Sequence, residues 1–312
     1  MDNNTTAYDS ITVVRTILSI TILVPSLIGF LLYVSFIGAV VTCKEYRCIA
    51  YYQLAAALGM AETASLFTIM VYGVPSIVLG KTIGGNTMNK LTGLIMMLAW
   101  WPNYPLICLL ALNRLLSICY KHYYDMLFTG AVNKCWVVCS GLFSLIVTSI
   151  SLFNSCHLLL YPEWYGWAYD FERSECRLML KIDTTICIVT ILVSGISNIL
   201  VFRSYVSTHR QIAECLNSKD QELVRRNREF KLFFQFFIIA VYMTIFDIAS
   251  NVMPFLTTSP LAFYCLTLMY IVQLSINGYV YIFMNKPLRQ KAFGFLYRLA
   301  YTEVKIFNSA NK

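Results

Sequence analysis

Charge is what this chain has least of. Only 13% of its 312 residues are Asp, Glu, Lys or Arg, about half the share in a soluble domain of this length, so a surface that faces water throughout is excluded. Histidine is scarcer still. His122, His157 and His209 are the full set, all predicted at loops or helix ends, so no clustered ligands exist for a metal and an intramembrane metalloenzyme is disfavoured. Residues 262–284 hold no lysine, which excludes a retinal Schiff base in the last span. Inverted repeats and paired spans broken by Gly or Pro, expected of a transporter, do not stand out either. Low-complexity tracts and any room for a second domain are missing. A cleavable leader is not expected: the first apolar run is too long for one, and the polar residues before it lack a basic start.

What fills the chain instead is apolar, 58% hydrophobic residues with a mean hydropathy of +0.63. Seven long runs stand out, at roughly 17–42, 49–72, 92–119, 135–160, 178–202, 232–256 and 262–284, each long enough to cross a hydrocarbon core of about 30 Å. Lipid offers no partner to a peptide group, so these runs must be helices. The expected fold is all-α, one seven-transmembrane helix bundle.

Basic residues set its orientation. With the N-terminus outside, 18 of the 24 Lys and Arg fall on inner segments and 6 on outer ones. The sequons at Asn3 and Asn4 then lie outside, as glycosylation requires. The net charge of +8 therefore points to anionic lipid headgroups and acidic grooves of a cytosolic partner rather than to nucleic acid. Beyond Pro287, Leu288, Ala292, Phe295 and Leu299 form one apolar stripe flanked by Arg289, Lys291 and Arg298, the pattern of a short interfacial C-terminal helix. No cysteine follows Cys265, so no palmitoyl anchor is expected on the tail.

Three classes compete: receptor, channel or transporter, and intramembrane enzyme. A receptor needs little chemistry, only an outer cavity and a movable inner face, so neither a catalytic site nor a cofactor is expected. Within the spans, Glu62 and Asp247 read as the deeply placed acids, each to be bonded or paired inside the bundle. Asp247 is expected to line the cavity, as counter-charge to a cationic ligand, or to pair with Asn251. Asn103 lies about 16 Å above Arg114 along its helix, level with Glu62, Gln273 and Asn277. These four are expected to form a mid-membrane cluster, with water or a sodium ion, that either rearranges or serves as static glue. In "AWWPNYP", Pro102 and Pro105 free carbonyls one turn back, near Leu98 and Trp101.

Arg114, in "ALNRLLSICYKHYYDMLFT", closes the third span. Alone it reads as an anchor that snorkels to the inner interface. This stretch, however, resembles the end of the third helix in rhodopsin-like G-protein-coupled receptors, with Asn113 for the usual Asp and Leu115 for the Tyr. "NGYVYIFMNKPLRQKAF" resembles their Asn-Pro-X-X-Tyr motif, keeping Asn277 and Tyr281 but with Gly278 for Pro, and Glu62 stands where they bury an aspartate. The chain departs from that pattern elsewhere. It lacks an Asn in mid helix one, Trp-X-Pro in helix six, Pro in helix five and a Cys opening helix three. Over nearly its whole length it looks more like the nematode serpentine chemoreceptors, class X (Srx) first and class T next. "CHLLLYPEWYGWAYDFERSEC" and "RRNREFKLFFQFF" add to that likeness.

The resemblance implies a G-protein-coupled chemoreceptor of the plasma membrane, in a sensory cell and serving olfaction, that binds an extracellular small molecule. A seven-helix ligand-gated channel or transporter is the alternative. With helix three at the centre, Met96, Met97, Trp100 and Tyr270 are cavity candidates. Tyr281 joins the activation network, and Asn113, Arg114, Arg225, Arg226 and Arg228 face a heterotrimeric G protein. Of the outer cysteines, Cys156, Cys176 and Cys265, the resemblance favours a disulfide between the first two. Trp164, Tyr165, Trp167 and Tyr169 between them either cap the cavity or anchor in the interface.

Overall fold

The computed structural model describes residues 3–153, 155–170, 173–214, 237–253, 256–295 and 297. Seven helices traverse the bundle: α1 (Asn3–Thr42), α2 (Ala50–Leu79), α3 (Gly85–Cys119), α4 (Gly130–Phe153), α5 (Ser174–Glu214), α6 (Phe237–Met253) and α7 (Pro260–Met284). After Asn285 a further helix, α8, covers 286–295. Its Leu288 and Ala292 are fully buried and Phe295 reaches Gly38 of α1, so the stripe read from the sequence docks on the bundle. Leu299 and Arg298 lie outside the described residues.

Side chains such as Val13, Ile17, Ile146, Leu192 and Ile248 are more than half exposed on the outer surfaces of their helices, where lipid takes the place of water. Buried hydroxyls mostly return to their own backbone: Ser26 donates to the carbonyl of Ile22, Ser140 to Trp136 and Ser275 to Ile271. This satisfies polar atoms without a partner helix.

α1 packs between α2 and α7. The ring of Tyr33 passes between Gly59 of α2 and Gly278 of α7. A Cβ at Gly59 would sit 2.8 Å from that ring, and one at Gly278 would sit 3.4 Å away. Gly59 is therefore the position where this packing requires glycine, while a Cβ at Gly278 would make an ordinary contact with the ring.

The helical pattern is interrupted at Pro102, as expected, and also ahead of Pro75, which the sequence reading did not single out. α3 opens at Trp101–Pro102 and resumes at Asn103. The Leu98 carbonyl that Pro102 leaves unpaired accepts a 2.8 Å hydrogen bond from Ser144 of α4. In α2 the turn Ile69–Gly73 widens to a π turn just ahead of Pro75.

The fourth span is the clearest difference from the sequence expectation. The apolar run to 160 does not stay helical. α4 ends at Phe153, and β1 (Leu158–Tyr161) pairs antiparallel with β2 (Gly166–Tyr169), Leu158 opposite Tyr169. "HLLLY" is as apolar as a span end, but Pro162 disfavours a helical conformation at its last residue, and its strand is paired from outside. Asn89 of α3 donates to the Leu160 carbonyl at 3.1 Å and accepts from the Leu160 N–H at 2.8 Å. One side-chain amide thus stands in for a neighbouring strand. At Gly93 a Cβ would lie 1.7 Å from the Leu158 carbonyl, so only glycine allows the hairpin this close. A disulfide joins Cys156 to Cys176 at the top of α5.

Candidate ligand cavity and inner coupling site

The hairpin roofs an outer cavity of about 1130 Å³. Met96, Met97 and Trp100 of α3 and Tyr270 of α7 line it, as the sequence reading expected of these four. Trp164, Trp167 and Tyr169 line it as well, so these hairpin aromatics cap the cavity instead of anchoring in the interface. Trp164 stacks on Phe263 of α7 with ring centres 5.1 Å apart, and Tyr165 packs edge-on against Tyr264.

Trp100 is the residue on which the cavity wall converges. Its ring lies 5.4 Å from Tyr270, 5.7 Å from Tyr104 and 6.5 Å from Phe246 of α6. Its indole N–H donates to Asp183 of α5 at 3.3 Å, and Tyr104 donates to the same carboxylate oxygen at 2.7 Å. A ligand resting on Trp100 therefore touches side chains tied to four helices.

Asp247 does not line the cavity. It is buried on α6 beside Cys187, and Asn251 bonds its main-chain carbonyl at 2.8 Å, not its carboxylate. Asn251 instead accepts from Thr184 at 2.7 Å, linking α6 to α5. The acid that does line the cavity is Asp183, which the sequence reading passed over. It lies inside the fifth apolar run, and its position there was the available signal.

The mid-membrane cluster is also rearranged. Glu62, 3% exposed, accepts from Asn277 at 3.0 Å and from the hydroxyl of Tyr33. Asn103 and Gln273 are buried nearby in their helices, but their side-chain oxygens have no hydrogen-bond partner. The structure brings together two of the four expected members and adds Tyr33, which the sequence did not flag because a lone tyrosine in an apolar run is unremarkable.

At the inner end, Arg114 does not snorkel outward. Its guanidinium lies 3.8 Å above the ring of Tyr51 on α2, a cation–π contact. Tyr51 meets Tyr281 of α7 edge-on at 6.1 Å, and Tyr281 stacks on Phe36 of α1 at 4.8 Å. Asn113 beside it is buried. With no acid next to Arg114 in the chain, Tyr51 holds the guanidinium. Arg225, Arg226 and Arg228 fall outside the described residues, as do the side chains of Asn3 and Asn4, whose backbone begins α1.

Comparison with known proteins now decides the family. The family described as "Serpentine type 7TM GPCR chemoreceptor Srx" matches residues 22–285. The chain belongs to the Srx chemoreceptor family. No curated protein matches the sequence. Among solved structures it is similar to squid rhodopsin, with a TM-score of 0.72 and 15% identity over 90% of this chain and 84% of that one. At that identity the likeness speaks for the fold alone. This Srx chain is therefore a multi-pass membrane protein of receptor type, with its roofed cavity at the outer end and Arg114 at the inner.

Proposed function

We propose that this Srx chain is a G-protein-coupled chemoreceptor whose ligand is an extracellular small molecule bound in the cavity above Trp100. The observation that carries the proposal is the cavity itself. About 1130 Å³ suits a small organic ligand, and the aromatic and methionine wall suits an apolar body. Its host would be the plasma membrane of a sensory cell, with olfaction the process served and glycans on Asn3 or Asn4 outside.

Signal passage has a short physical route. Tyr270 faces the cavity on α7, Asn277 lies about two turns further in, and Tyr281 one turn beyond that. A ligand that shifts Tyr270 would disturb the Asn277–Glu62–Tyr33 bonds and the Tyr281–Tyr51 contact on which Arg114 rests. Arg114, once released, would face a heterotrimeric G protein, with Asn113 beside it and Arg225, Arg226 and Arg228 supplying basic contacts. The polar atoms of Asn103 and Gln273 without partners leave room for a second bonding pattern in mid-membrane. A ligand can shift such an equilibrium only by its difference in affinity for the two states.

The test is ligand-stimulated nucleotide exchange in membranes supplied with several heterotrimeric G proteins, run beside current recording in cells without them. Exchange without current supports the receptor. A ligand-evoked current that needs no G protein would hand the assignment to the channel reading.

A further inference from the structure

We infer that the cavity selects an organic anion with an apolar body, its acidic head held by Arg177 and Lys181. This rests on the receptor reading above and names its ligand class. Arg177 and Lys181 both line the cavity. They stand one turn apart on α5, so their side chains leave the helix on one face. Both are exposed. Among the described residues neither is ion-paired; the ion pair found there joins Arg173 to Asp170 at 3.2 Å, which occupies the loop acid Asp170. Glu175 is exposed in the first turn of α5 and forms no ion pair among the described residues. Among the described residues two cations at the mouth are thus open to an incoming group.

The rest of the wall is divided to match. Thr184, Thr185, Ser250 and Asn251 supply polar groups from α5 and α6, while Met96, Met97 and Trp100 supply apolar surface from α3. A head at Arg177 and Lys181 would leave the body over the methionines and the indole. The competing class is an amine seated on Asp183. Two observations oppose it. Asp183 already accepts from Trp100 and Tyr104, and an amine would have to pass both cations, which repel it. A carboxylate is drawn in by that field and gains charge-assisted hydrogen bonds at its end.

The experiment uses the full chain in phosphatidylcholine nanodiscs and medium-chain fatty acids, with the matching alkyl amines and methyl esters, read by thermal unfolding and direct binding. Acids should stabilise the wild type. The Arg177→Gln/Lys181→Gln variant should weaken acid binding about tenfold or more, as expected for loss of charged hydrogen bonds, and leave ester binding unchanged. Both substitutions are at exposed positions, and ester binding in the same variant checks that the cavity is intact. Adding anionic phospholipid to the discs separates the sources of the acidic head. If free acids still compete there, the free anion is the ligand. If the anionic lipid alone gives the cation-dependent stabilisation and the acids give none, the proposal falls. It falls too if amines bind better and lose binding in Asp183→Asn, or if no shift is selective for acids. Binding is read here without a G protein. Acid-selective binding that drives no exchange would fault the receptor reading alone, and exchange driven by a neutral molecule would fault this inference alone.

Discussion

On one side of the bundle, α1, α2 and α7 share a core that runs from Ile22 through Tyr33, Phe36, Leu54 and Leu66 to Tyr281 and Ala292. On the other, α3, α4 and α5 meet in a smaller cluster under the hairpin, around Met97, Trp101, Tyr104, Met179 and the disulfide. Each side sets one carboxylate against hydroxyl and N–H donors, and the two are used differently. Glu62 is enclosed, and its donors come from α1 and α7, so it fastens three helices together. Asp183 faces the cavity, and both its donors come from α3, so it fixes the wall a ligand touches. The same chemistry serves as a fastening where it is sealed and as a ligand-facing part where it borders open space.

The largest effect should follow from breaking the fastening. Glu62→Ala strands the Tyr33 hydroxyl and the Asn277 amide, at about 2 kcal/mol each, and should lower the thermal unfolding midpoint sharply. Glu62→Gln, which keeps an acceptor, should lose well under half as much. Equal losses in the two variants would mean that the site depends on charge and not on satisfied donors. Next comes the other side's covalent tie. Cys176→Ser should cost about 3 kcal/mol and, by freeing the hairpin, weaken ligand binding more than Glu62→Gln does.

Asp183→Ala should be milder, about 1–2 kcal/mol, because water in the cavity can reach the stranded donors, yet it should displace Trp100 and impair ligand response. If it destabilises the protein as much as Glu62→Ala, the contrast between the two sides is wrong. Smallest of all, Ser144→Ala removes the hydroxyl that serves the Leu98 carbonyl at the proline break. A side-chain hydrogen bond between membrane helices averages about 0.6 kcal/mol, so a small midpoint shift with near-normal ligand binding is expected.

The sequence made the helices plain because a bilayer needs long apolar runs and tolerates no unpaired backbone. It also made Met96, Met97, Trp100 and Tyr270 legible as cavity residues once helix three was set at the centre. It did not show the hairpin, because "HLLLY" has the composition of a helix end and its pairing depends on Asn89, far away in the chain. Nor did it show which acid meets the cavity. Asp183 and Asp247 each sit in an apolar run, and only the rotation of their helices separates them. Tyr33 and Tyr51 were hidden for a similar reason: their partners, Glu62 and Arg114, lie on other helices.

The central claim is that the cavity around Trp100 and the arginine at the inner end are separate parts of one device. It is tested by measuring ligand binding and nucleotide exchange on the same membranes for wild type, Trp100→Ala and Arg114→Ala. The account predicts that Trp100→Ala loses both binding and exchange, while Arg114→Ala binds ligand normally and stimulates no exchange. Exchange that survives in Arg114→Ala, or full-affinity binding in Trp100→Ala, would contradict it.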